Sequence, residues 1–161
     1  MAGVSLALNC NALSIVLTDG NEKCVRNIND IITMNKPNLL CADISSSVVR
    51  WDDESTFKQY KFQFDFLLAA DCMFFEETHH ELVNAISYLL VSGGRALLFA
   101  PYRGNTLNAF VALCQTEFSN VTVSEPSQYS KTVESYHKTA LSNNPLYKEN
   151  IHKPILIQLE K

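Results

Sequence analysis

The residues best suited to chemistry in this chain are two aspartates, each one step beyond a hydrophobic run: Asp19 after "SIVLT" and Asp71 after "FDFLLAA". A carboxylate placed directly after a parallel strand can accept two hydrogen bonds from the vicinal hydroxyls of a ribose. For Asp19 the competing reading is an N-cap for a helix that begins near Asn21, because aspartate is a favoured capping residue. Trp51 follows another β-branched run, beside Asp52. An indole face can stack on an adenine ring, although a lone tryptophan is more often core or rim. Asp71 opens "DCMFF", with Phe74 three residues on. A carboxylate and a ring face at that spacing can hold a cationic group between negative charge and π electrons, and a lysine side chain and a sulfonium are both such groups. The alternative is that Asp71 caps the next helix while Phe74 and Phe75 plug its base.

Other candidates carry less. His79 and His80 are adjacent, so they point in different directions and cannot grip one metal as an i, i+4 pair would; solvent-facing positions are expected for both. Cys72 has no neighbouring base to activate it. "YRGNTLN" (102–108) has the form of a helix N-terminus with Asn105 as cap, or of a substrate-facing loop. No metal site is expected.

The elements that must position these residues follow from two alternating periodicities. "SIVL" reads as a strand ended by the turn cluster "TDGN", after which Cys24, Val25, Ile28, Ile31 and Ile32 recur at helical spacing. "ISSSVVRW" (44–51) reads as a second strand. "FDFLLAA" (64–70) is apolar at nearly every position, the pattern of a central parallel strand covered on both faces. "EETHHELVNAISYLL" is the next helix, with Glu76 and Glu77 in its first turn and "SGG" closing it. "RALLFAP", "NVTVSE" and "KPILIQLEK" read as strands, the last suited to a sheet edge or half-exposed face, and "NTLNAFVALCQTEF" as a helix. Strands alternating with helices of this length imply βαβ units in a doubly wound sheet, with ligands beyond the carboxyl ends of the strands.

Composition bounds the classes. A length of 161 residues suits one domain, and 47% apolar with 19% charged residues is ordinary for a soluble globular protein. Net charge is -4, with 12 acids against 7 bases in residues 1–100 and 5 against 6 in the remainder. No basic tract is present to neutralise a run of phosphates, which argues against nucleic acid. Five cysteines without a C-x-x-C pair suit a reducing, intracellular compartment. The opening "MAGVSLALNC" is too short for a membrane span and lacks the basic flank of a signal peptide.

Taken together, "VLTDGN", "VVRWDD", "FDFLLAADCMFF", "GGRALLFAPYRGNTLNAF" and "NPLYKENIHKPILI" resemble the seven-strand, S-adenosylmethionine-dependent protein-lysine methyltransferases with a D-x-x-Y/F motif, and within that family most closely those acting on calmodulin. The resemblance spans nearly the whole chain; "TDGNEK" and "FAPYRGNTLN" are its specific pieces. It implies an α/β fold with a Rossmann-like seven-strand sheet, S-adenosylmethionine as cofactor, calmodulin as protein substrate, and a place in the cytoplasm and also the nucleus. Asp19 would bind the cofactor ribose, Trp51 would lie against the adenine, and Ala70 would supply backbone near the cofactor. Asp71 and Phe74 would shape the channel for the target lysine. The family's first strand and glycine-rich loop have no counterpart before "SIVLT". The resemblance thus implies a single methyltransferase domain over 1–161, incomplete at its N-terminus, whose central strand between "SIVLT" and "FDFLLAA" is missing and which is expected to fold poorly alone. Two further readings stand beside it: a non-catalytic binding form, and a dinucleotide-dependent oxidoreductase, for which no G-x-G-x-x-G is present.

Overall fold

The computed structural model describes residues 2–161, and their contacts divide into two compact units that meet in sequence between Gln59 and Tyr60. The first unit opens with helix α1 (Ala2–Asn9), whose residues Val4 and Ala7 are buried. Strand β1 (Ser14–Asp19) and strand β2 (Asp43–Val48) pair in parallel from Ser14 opposite Asp43 to Asp19 opposite Val48. Helix α2 (Glu22–Asn35) crosses between them. It starts where it does because the Asn21 side chain accepts the Lys23 N–H at 2.8 Å, and Glu22 sits in the first turn, where the helix dipole favours an acid. Buried Ile15, Val25, Val49 and Phe57 belong to this unit. Strand β2 stops at Val48, short of Trp51, which lies in the turn that follows.

The second unit contains strand β3 (Phe64–Ala70), helix α3 (His79–Leu89), strand β4 (Leu90–Ala100), helix α4 (Thr106–Glu117) and strand β5 (Asn120–Ser124). Three helices come next, α5 (Pro126–Tyr129), α6 (Lys131–Asn143) and α7 (Glu149–His152), and strand β6 (Ile155–Glu160) ends the chain. The sheet runs in the order β3-β4-β6-β5; β3 and β4 are parallel, whereas β6 is antiparallel to both β4 and β5. The sheet is therefore mixed. Its core is apolar: Leu90, Leu98, Ile155, Ile157 and Leu159 from the strands, Ile86 from α3, and Leu107 and Phe110 from α4 are almost fully buried. Each such side chain stabilises the fold by roughly 1.5–3 kcal/mol through removal from water.

Three sequence expectations are corrected here. Strand β3 has one strand neighbour, β4, and Phe66 is 64% exposed, so it is an edge strand of its sheet and not a covered central one. An apolar run records that burial is favourable, not that both faces have found a cover. Strand β6, expected at a sheet edge or with a half-exposed face, is an interior strand in which only Gln158 is exposed, because the chain returns to insert it between β4 and β5. The "SGG" segment does not close α3, which ends at Leu89. It forms a bulge inside β4: Phe64 is opposite Leu90 but Phe66 is opposite Arg95. Gly93 has φ +76°, and a Cβ at Gly94 would lie 2.9 Å from the Val91 carbonyl oxygen and 3.2 Å from that of Phe64. Helices α1 and α6 were not anticipated. Among the described residues no helix is long and apolar enough to cross a membrane.

Candidate functional site

In the first unit, Asp19 is the last residue of β1 and is half-buried. Its Oδ1 accepts the Asn21 N–H at 2.8 Å, and its backbone carbonyl accepts the Val49 N–H at 3.1 Å. The helix cap is Asn21, not Asp19, so Asp19 shapes the turn that presents the start of α2. Directly beyond this turn lies an open cleft of about 440 Å³, lined by Gly20, Asn21, Lys23, Arg26, Val48 and Arg50. It occupies the carboxyl ends of two parallel strands, where α/β sheets bind their ligands. Trp51 is half-buried and follows Arg50 directly, at the strand end that carries Asp19. The Arg50 guanidinium forks onto Asp52, with Nη2 donating to Oδ2 at 2.8 Å and Nε to Oδ1 at 3.3 Å, and holds the Asp52 carboxyl below its usual range. The Asp19 carboxylate, the Trp51 indole and this polar cleft thus lie at the carboxyl end of one strand pair.

In the second unit, Ala70 ends β3 and Asp71 follows with φ +57°, a left-handed conformation uncommon for any residue but glycine. The Asp71 N–H donates to the Phe99 carbonyl at 2.7 Å, which extends the β3–β4 ladder by one step and holds the strained residue at the mouth of the strand. From there the chain alternates anchors and exposed rings. Met73 is buried, and its carbonyl accepts a hydrogen bond at 3.1 Å from Nε2 of His79, whose ring edge packs on Phe110 with centroids 5.2 Å apart. Phe74 and Phe75 are about half exposed and meet edge to face at 4.7 Å. His79 is thus a buried pin and not the solvent-facing residue expected from sequence. Asp71 does not cap the next helix either, since Thr78 holds the N-cap position of α3, and the two phenylalanines do not plug its base.

Sequence reasoning missed Arg103. Both of its terminal nitrogens reach Asp71: Nη1 pairs with Oδ1, and Nη2 donates to Oδ2 at 2.8 Å. The same guanidinium stands over the Phe74 ring, 5.1 Å from its centroid. The Asp71 carboxylate and the Phe74 ring thus both face a cation of the protein's own, where the sequence suggested a lysine side chain or a sulfonium. A readable signal existed, because "APYR" follows the strand parallel and adjacent to "FLLAAD", so an arginine and an acid leave neighbouring strand ends together. Asn105 occupies the N-cap position of α4 without a side-chain capping bond.

A polar network backs this loop. Tyr102 donates from its hydroxyl to Glu125 at 3.3 Å, Glu125 pairs with Lys153 at 2.6 Å, and Lys153 lies 3.7 Å from Glu149. Glu149 also meets Nε2 of buried His137 at 3.1 Å, while Nδ1 of that ring meets the Tyr147 hydroxyl at 2.8 Å. Burial first and Glu125 second push the Tyr102 hydroxyl pKa up; hydrogen bonding to Glu125 raises that of Lys153. None of the five cysteines is in a disulfide, and among the described residues no group of His, Cys, Asp and Glu is arranged to hold a metal ion.

The mixed sheet, with an antiparallel final strand between β4 and β5 and helices between its parallel strands, is the α/β fold that solved methyltransferase structures share. The family profile for lysine methyltransferases matches residues 1–117, and the chain belongs to that family. The chain is 28% identical over 164 aligned positions to the calmodulin-lysine N-methyltransferase of Arabidopsis thaliana, a match covering 99% of this chain and 53% of that protein. It therefore spans about half the length of this relative. Among solved structures, a SAM-dependent methyltransferase from Methanosarcina mazei superposes with TM-score 0.62 at 12% identity, covering 98% of this chain and 85% of the other. A geranyl diphosphate methyltransferase in complex with SAM superposes with TM-score 0.61 at 11% identity, covering 98% and 72%. These two likenesses establish the fold alone.

Proposed function

We propose that this chain methylates a lysine side chain of calmodulin with S-adenosylmethionine, and that its two compact units are parts of one methyltransferase domain. The observation that carries the reading is the Asp71–Phe74 pair: a carboxylate and a ring face at the mouth of β3, both in contact with one cationic side chain. Membership of the lysine methyltransferase family supports it, as does a family match that spans the first unit and continues into the second as far as residue 117. The calmodulin-specific relative supports the choice of substrate.

Asp19 and Trp51 of the first unit fit the nucleoside part of the cofactor: Asp19 would accept the ribose hydroxyls and Trp51 would lie against the adenine. In the second unit, Ala70 would lend backbone at the rim of β3. When bound, the cofactor supplies an electrophilic methyl group. Asp71 and Phe74 would then position the substrate amine, which must present a free lone pair; alignment and exclusion of water contribute most of the rate in such a transfer. The amine is itself the nucleophile, so the absence of an activated serine or cysteine from the scheme is expected. Five thiols outside any disulfide suit the reducing cytoplasm and nucleus, where we place the protein.

The test is incubation of the full chain with calmodulin and a donor labelled in the methyl group. Label on a lysine of calmodulin, lost in Asp71→Ala, is the expected result; unlabelled calmodulin refutes the assignment. A second reading is a non-catalytic substrate-binding form, in which Arg103 keeps Asp71 and Phe74 engaged and the bound amine is not methylated. Calorimetry with S-adenosylhomocysteine separates the two, since micromolar binding rules out a form that cannot hold cofactor.

A further inference from the structure

Asp71 and Arg103 are two of the three non-glycine residues with positive φ among those described, at +57° and +41°, and their side chains are paired with each other. Each backbone is held in that conformation from behind. Asp71 donates to Phe99, and the Arg103 N–H donates at 2.7 Å to the carbonyl of Asn150 in α7, the helix whose Glu149 and flanking Lys153 belong to the polar network described above. Strain repeated at both ends of one ion pair, and supported on both sides, marks the pair as a built feature.

Its chemistry is selective. An arginine fork uses one lone pair on each carboxylate oxygen and leaves the others open as acceptors. The guanidinium also covers the Phe74 face at a distance where cation–π attraction is effective. Both attractions that would capture an ammonium are thus already spent on a cation that does not lose its proton in a protein. What remains for an incoming side chain is a neutralised carboxylate with acceptor sites to spare, which can accept an N–H from a neutral amine and no longer draws in the protonated form by net charge. Methyl transfer needs the neutral amine, because the ammonium has no lone pair.

We propose that Arg103 is a positioning residue that competes with cations for Asp71 and Phe74, so that the substrate lysine is received as the free amine. The identity of that amine rests on the lysine-methylation reading; the competition itself does not.

The experiment titrates n-butylammonium into the full chain at neutral pH and follows the Phe74 ring by NMR. Arg103→Gln, checked for folding by circular dichroism, is expected to bind the probe about tenfold more tightly than wild type, with the gain abolished in the double variant Arg103→Gln with Asp71→Asn. A residue of merely structural importance would weaken the site when lost, not strengthen it. Equal or weaker binding by Arg103→Gln overturns the proposal. Should that variant not fold, Arg103→Lys carries the test: a compact ammonium cannot fork, so the probe should bind several-fold more tightly than to wild type, and equal affinity overturns the proposal. Neither measurement requires methyl transfer. A gain in probe affinity with unlabelled calmodulin would refute the lysine reading and keep the competition; labelled calmodulin without the gain would refute the competition alone.

Discussion

Replacing His79 by alanine should loosen the loop that carries Phe74 as well as destabilise the second unit. The His79 Nε2 must be the protonated nitrogen, because its partner, the buried Met73 carbonyl, can only accept. Removing the ring leaves that carbonyl without its donor, at a cost of about 1–3 kcal/mol. The vacated space against Phe110 adds a smaller cavity term, for a total of roughly 2–4 kcal/mol. His79→Phe separates the contributions: it refills the space and loses only the hydrogen bond, so it should cost about 1–3 kcal/mol, less than His79→Ala. Urea unfolding followed by far-UV circular dichroism measures both, with the ring signals of Phe74 and Phe75 recorded in the folded variants. A His79→Ala midpoint within about 0.5 kcal/mol of wild type would refute the anchoring argument, as surface substitutions have effects of that size. So would a fully destabilised His79→Ala in which the two rings keep their native contact shifts.

The remaining predictions concern separate parts of the molecule. Asp19→Ala should weaken S-adenosylhomocysteine binding by calorimetry at least about tenfold, consistent with loss of charged hydrogen bonds, while Asn21→Ala should cost about 1 kcal/mol of stability in urea because it removes the cap of α2. Burial pushes the Cys114 thiol up to about 12 from an ordinary value of 9.0. The unfolded chain therefore ionises first as pH rises, and this thiol's contribution to stability, complete below pH 9.0, is lost toward pH 12. Cys114→Ala should flatten that alkaline decline in urea midpoints, and native Cys114 should resist thiol reagents until the protein unfolds. Gly94→Ala should destabilise the β3–β4 bulge by roughly 1–3 kcal/mol in the same urea assay, because its Cβ would crowd two backbone carbonyls that cannot move independently.

The elements bearing the candidate site were legible because local chemistry dictates them. "FDFLLAA" is a strand over the residues expected, and "NTLNAFVALCQTEF" is a helix bounded within one residue, because period and turn residues are read within a few positions of chain. Met73 and His79 were not legible as anchors. A methionine in a mixed run and a histidine in a helical turn look alike whether buried or exposed, and only the packing of α3 against α4 puts Phe110 beneath that ring. Arg103 is a similar case, since its partner stands 32 residues earlier and the pairing follows from the parallel register of β3 and β4.

From residue types and their order alone, the alternation of strand and helix, the acids at two strand ends and the family resemblance could be read, since each depends on side-chain chemistry and near neighbours. The tertiary structure decided which strands lie inside the sheet, which apolar side chains stay exposed and which cation Asp71 holds. Those outcomes depend on contacts between residues far apart in the chain. A run such as "ILIQLE" is compatible with an edge or an interior until the strands on either side of it have taken their places.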